Sequence, residues 1–145
     1  MWTCIFKQAI SGEPVQLNRP RFSRNGVFHD SKNKKAKQDI IKLLLNSCPV
    51  GLNVQPEQPL SLVIEFIHSR PNRLKRKKDT TARIPKITKP DLDNLVKMIM
   101  DALQATPLMH DDRQVIMLCC SDWWAAKDEE AHTQISLFSM EPYNA

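Results

Sequence analysis

Apolar and polar positions alternate most clearly in LSLVIEFIH (60–68). Leu62, Ile64 and Phe66 fall on one side and Ser61, Val63 and Glu65 on the other, the two-residue period of a strand. TQISLFSM (133–140) repeats the pattern with Ile135 and Leu137 on one face. WTCIFKQAI (2–10) reads as a first strand, ended by Ser11, Gly12 and Pro14. Val115 to Ser121 reads as another, and the natural pairing for it is a hairpin spanning 113–140. Asn25-Gly26 is a hairpin-turn signal in NRPRFSRNGVFHD. Elsewhere the period lengthens to that of a helix. Ala36, Ile40, Leu43 and Leu44 form one stripe, capped by Asp30 or Ser31 and running to about residue 46. Leu95, Val96, Ile99 and Leu103 form a second, stopped by Pro107. No repeat, second domain or linker interrupts the 145 residues, so the pattern predicts one α+β domain over 1–145. It holds a small mixed sheet of about four to five strands and two main helices.

Charge sharpens this picture. Residues 1–90 carry 18 Lys and Arg against 6 Asp and Glu, whereas residues 91–145 carry 3 against 10. One part attracts polyanions and the other holds carboxylates, the division a nucleic-acid enzyme using a divalent cation requires. Segment 70–90 alone has nine Lys and Arg and one acid, and is expected to be an exposed, mobile arm. No aromatic lies within it, so phosphate contact is expected there rather than base stacking. Arg19, Arg21 and Arg24, with Arg73, Lys75, Arg76, Lys77 and Lys78, are the candidate DNA-binding residues. The alternatives are a solvated helix face for the lysines of 32–42 and a solubilising loop for the arm. No apolar run spans a bilayer and the start is not a secretion signal. Cys4, Cys48, Cys119 and Cys120 have no disulfide-framework spacing, consistent with a reducing cytoplasm.

The chemistry concentrates in KPDLDNLVKMIMDAL (89–103). If the chain stays extended through Asp93, Asp91 and Asp93 share a side; inside a helix they diverge. Two plainer readings compete. Either acid caps the helix, worth about 1 kcal/mol, or Asp93 and Lys97 form a surface i,i+4 pair worth about 0.3–0.5 kcal/mol. Asp111-Asp112 adds carboxylates that matter only if the fold brings them close. A cluster of such oxygens suits Mg²⁺ or Mn²⁺ rather than structural zinc.

This run, followed by DDRQV at 111–115, resembles the core signature of the RusA-type Holliday junction resolvases of phages and prophages. The signature is an Asp-x-Asp-Asn-Leu-x-Lys run, an Asp-Ala-Leu at the helix end, and Asp-Asp-x-Gln-Val at a strand start. The arginine segment and lysine-rich helix extend the likeness over most of the chain. The resemblance implies a RusA-like fold and a Mg²⁺-dependent endonuclease that resolves Holliday junctions in DNA recombination and repair. It implies a homodimer with two sites facing four-way junction DNA in the cytoplasm of a bacterial host. Asp91, Asp93 and Asp112 would be the catalytic metal ligands, Lys97 the essential basic residue and Asp111 an assisting neighbour. Where the family often has a lysine late in the strand, this chain has Asp122.

Met98 and Met100 offer a dimer contact, although core packing is the commoner role. His29, His68, His110 and His132 are scattered and read as structural, with His110 nearest the acids. The competing functions are a non-catalytic branched-DNA-binding or architectural protein of the same fold, and a partner-binding protein whose acids only cap helices.

Overall fold

The computed structural model describes residues 1–18, 21–28 and 31–140. Its spine is β4 (Leu60–His68), in which Leu60, Leu62, Ile64, Phe66 and Ile67 are buried. A strand with so little polar surface takes neighbours on both edges. β6 (Val115–Trp124) runs parallel to it on one side and β7 (His132–Met140) antiparallel on the other. β1 (Trp2–Ser11) pairs with the far edge of β7, and β5 (Ile84–Pro85) crosses only the end of β6 at Trp123 and Trp124. The sheet order is therefore β1-β7-β4-β6-β5.

This is the expected five-strand mixed sheet, but the expected 113–140 hairpin is absent because β4 lies between its two arms. Strands β2 (Arg21–Ser23) and β3 (Gly26–Phe28) form the small predicted hairpin. Its Ser23–Gly26 pair closes around Arg24 and Asn25, and Gly26 takes φ +120°, a conformation glycine adopts freely. His29 and Asp30 lie outside the described residues.

The helices α1 (Ser31–Ser47) and α2 (Leu92–Gln104) contribute Ile40, Leu44, Leu95, Met98, Ile99 and Leu103 to one core with Phe6, β4, Ile135 and Leu137. Each such side chain, fully buried, contributes about 1.5–3 kcal/mol. Met98 is completely enclosed and so offers no dimer contact, whereas Met100 is half-buried and packs against the core. No helix among the described residues is long and apolar enough to cross a membrane.

The basic segment 70–90 departs from expectation. It is folded rather than loose, because Arg70 is buried and its guanidinium gathers the segment's peptide groups. Nε donates to Ala125 O at 2.9 Å, and Nη1 to Leu74 O at 3.1 Å and Thr80 O at 2.6 Å; Nη2 donates to Ala82 O. Arg83 bridges Glu129 and Glu65 at 2.6 and 3.1 Å. Like charges along the sequence did not hold this loop open because two arginines found acceptors and Lys86 turned inward.

Candidate active site

Helix α2 begins at Leu92 and Asp91 holds the N-cap position, in an extended conformation (φ −69°, ψ 143°). Backbone closure suffices there: Asp91 O accepts from Asn94 N at 3.2 Å and Leu95 N at 3.3 Å. The Asp91 side chain makes no capping hydrogen bond and is exposed. Asp93 is exposed in the first turn, where its Oδ1 accepts from Asn94 N at 3.0 Å. Leu92 between them is half-buried against the core. Lys97 is exposed one turn further along and makes no ion pair with Asp93 among the described residues. The capping reading fails for Asp91 but keeps support at Asp93, which accepts a first-turn N–H, and the Asp93–Lys97 pair is not formed. Asp91 occupies a capping position without capping, and Lys97 is not spent on Asp93.

Asp111 behaves differently. It caps the short 3₁₀ turn Asp112–Gln114, accepting from Arg113 N at 2.9 Å, while Gln114 Oε1 accepts from Asp111 N at 3.1 Å. Gln114 Nε2 in turn donates to Gln55 O and Gln58 O at 2.8 and 3.0 Å. The Arg113 guanidinium and backbone N–H hold the Asp111 carboxyl down to about 2, with a hydrogen bond to Asp112 adding to the effect. Asp111 is therefore committed to structure, and Asp112 stands exposed beside it.

The two acid pairs lie at opposite ends of β6. Lys86 Nζ donates to Pro90 O at 3.4 Å and pairs with Asp122 Oδ2 at 3.5 Å, which sets Asp91 beside the C-terminal end of that strand. Asp112 precedes its N-terminal end, and the stretch from Val115 to Asp122 is roughly 23 Å long at about 3.3 Å per residue. Among the described residues no three His, Cys, Asp or Glu side chains are placed to hold one cation. A single chain therefore does not bring Asp112 to Asp91 and Asp93. Sequence spacing could not reveal this, because it records distance along the chain and not which end of the helix faces which end of the strand.

Residues that sequence reasoning passed over surround the acid-bearing turn. His68 Nε2 lies 2.6 Å from Asp122 Oδ1, and His68 Nδ1 lies 3.8 Å from Glu13 Oε2. Burial lowers the His68 pKa, opposed chiefly by the Asp122 carboxylate. Trp124 meets the His68 ring edge-on at 6.1 Å and the Lys86 ammonium at 5.5 Å. The signals for them in the sequence are polar residues at the ends of apolar strands, His68 and Asp122. His110 is exposed, and its N–H donates to Gln114 Oε1 at 2.7 Å.

Of the candidate DNA contacts, Arg24, Arg73, Lys75, Arg76, Lys77 and Lys78 are exposed. Arg76 is engaged with Asp79 at 3.1 Å. Arg19 and the Arg21 side chain lie outside the described residues, but the segment before them is anchored: Leu17 N donates to Asn94 O at 3.0 Å, in the first turn of α2.

One surface remains without a neighbour. β5 covers only the last two residues of β6, so the rest of that strand's outer edge has no strand beside it among the described residues. Ile116, Met117 and Leu118 are 60%, 53% and 47% exposed along it, where solvated strands normally carry charge.

The sequence pattern of the endodeoxyribonuclease RusA family matches residues 11–137. The chain is also 30% identical over 145 aligned positions to the uncharacterized protein YqaN of Bacillus subtilis strain 168, covering 92% of this chain and 95% of that one.

Proposed function

The chain belongs to the endodeoxyribonuclease RusA family, and from that premise we propose that it is a divalent-metal-dependent Holliday junction resolvase whose active sites are completed between two chains. The observation that carries this reading is Asp91, an exposed acid at a helix start that does not cap, next to Asp93 and one turn from Lys97, which has no ion pair among the described residues.

Two copies of β6, run antiparallel about a twofold axis at the middle of the Ile116–Cys119 run, would bring the Asp112 end of one toward the C-terminal end of the other, up to the short β5 that covers Trp123 and Trp124. That C-terminal end is the one against which Asp91 is held. The apolar edge would be covered, and each site would gain the acid its own chain keeps far away. The all-oxygen donor set suits Mg²⁺ or Mn²⁺. Asp91, Asp93 and Asp112 of the partner subunit would hold the ion, which supplies Lewis-acid stabilisation of the charge that builds on the scissile phosphate. Lys97 places an ammonium on the same face and stabilises the developing negative charge. Arg24, Arg73, Lys75, Lys77 and Lys78 grip flanking phosphates without reading bases. A twofold dimer matches a four-way junction's own symmetry and delivers two opposed nicks. A protein that only bound DNA would gain nothing from exposed carboxylates beside phosphate.

The test is cleavage of an end-labelled mobile four-way junction, with and without Mg²⁺. Paired, symmetric nicks are expected only with the metal, while Asp91→Asn binds the junction and leaves it intact. Binding with no metal-dependent nicking by the unaltered protein would sink the proposal.

A further inference from the structure

We propose that Lys86 is a positioning residue for Asp91, acting as a buried bridge between β6 and the turn that carries this acid. The inference rests on the reading of Asp91 as a metal ligand. Lys86 has a side chain only 1% exposed, an unusual place for an ammonium. Its ammonium donates to Thr88 O at 2.6 Å and Pro90 O at 3.4 Å and forms an ion pair with Asp122 Oδ2 at 3.5 Å. The Lys86 backbone N–H donates to Asp122 O at 3.1 Å. The turn is therefore tied at its start by the main chain and at its end by the ammonium. Pro90 O belongs to the peptide group that leads directly into Asp91, so fixing that oxygen fixes where the Asp91 Cα stands. Asp122, itself 8% exposed, is held from the other side by His68 at 2.6 Å, which makes its carboxylate a rigid abutment.

Charge balance alone does not explain the arrangement. Burying an ion pair is often no better for stability than packing apolar groups of the same volume. A methionine would fill the Lys86 space but could not hold the carbonyls of Thr88 and Pro90. What the lysine adds is the conformation of residues 87–91, and misplacing a reacting group by about 1 Å can cost on the order of 100-fold in rate.

The experiment compares the full-length protein with Lys86→Met/Asp122→Asn and with Asp122→Asn alone. The double variant leaves no unpaired buried charge, so a role confined to charge balance predicts wild-type behaviour. A positioning role predicts junction affinity unchanged, kcat lower by roughly 10–100-fold and a higher half-saturating Mg²⁺ concentration. Asp122→Asn keeps the bonds to Thr88 and Pro90 and still offers the ammonium a side-chain amide oxygen as abutment, so its Mg²⁺ requirement should stay near wild type. If it reproduces the full defect, or if the double variant cuts normally, the proposal is wrong. Amide hydrogen exchange provides a readout that needs no cutting. Residues 87–93 should exchange at least about tenfold faster in the double variant while β4 and β6 keep their protection. Unchanged exchange there overturns the proposal. A wild-type protein that fails to cut would refute the active-site reading instead, and exchange would still decide whether Lys86 holds the turn.

Discussion

Mixing two inactive variants provides the sharpest test of a shared active site. Asp91→Asn and Asp112→Asn each remove one acid from every site of their own homodimer, and each should lose on the order of 100-fold or more in cutting rate. In a mixed dimer the outcome depends on geometry. With Asp91 and Asp112 at opposite ends of β6, a shared arrangement places both lesions in one site and leaves the other with all its acids. After random 1:1 exchange, half of the dimers are mixed and one of their two sites is whole. About a quarter of all sites should therefore cut. The products should also differ in kind. A dimer with one working site nicks one strand, so nicked junctions should accumulate ahead of resolved duplexes. The assay is a denaturing gel of labelled junction after co-refolding differently tagged variants, with tandem purification of the mixed species. If the purified mixed dimer is as inactive as its parents, the acids do not meet across an interface.

Other outcomes follow from the same geometry. Leu118→Asp places a charge on the exposed outer edge of β6; sedimentation should shift toward monomer and Mg²⁺-dependent cutting should fall, although the chain stays folded because Leu118 is outside the core. Replacing Lys75, Lys77 and Lys78 with Gln should weaken binding to all junction sequences alike and flatten the salt dependence of log K by about 3, as expected for three lost phosphate contacts. His68 faces Asp122, Lys86 and Glu13, and its pKa is lowered from 6.5 by burial. The unfolded chain therefore takes up this proton first. His68 supports stability fully above about pH 6.5 and progressively less as pH falls through its folded value. Urea melts at pH 7.5 and 5.5 should show a smaller decline in His68→Gln than in wild type. Asp111, held down to about 2, keeps its stabilising charge above the ordinary carboxylate range and loses it only as pH falls through that value. Asp111→Asn should therefore flatten the acid limb of the melting profile.

Much of the fold could be read from local pattern. The β4 alternation and the α1 and α2 stripes appear where apolar spacing put them, and the arginine hairpin where the Asn25-Gly26 turn signal put it. The failures came where long-range partners decide. Nothing in Val115–Ser121 says that its neighbour is β4 rather than β7, because strand pairing is chosen by the whole sheet. The 70–90 segment looked open because charge density is visible in sequence, whereas the carbonyls that gather around Arg70 are not. The site was legible in its composition but not in its assembly. Asp91 is extended at the N-cap, but α2 starts at Leu92 and takes Asp93 into its first turn, short of the extension through Asp93 that the spacing required; Asp111 became a cap, and Asp112 sits at the far end of the strand.

The folded loop around Arg70 changes what a polyanion meets at this surface. Four peptide oxygens converge on one guanidinium, so Lys75, Lys77 and Lys78 are presented on a preshaped knuckle rather than on a tether. Little chain freedom remains to be surrendered on contact. A polyanion would therefore meet these ammonium groups at a spacing the fold sets in advance.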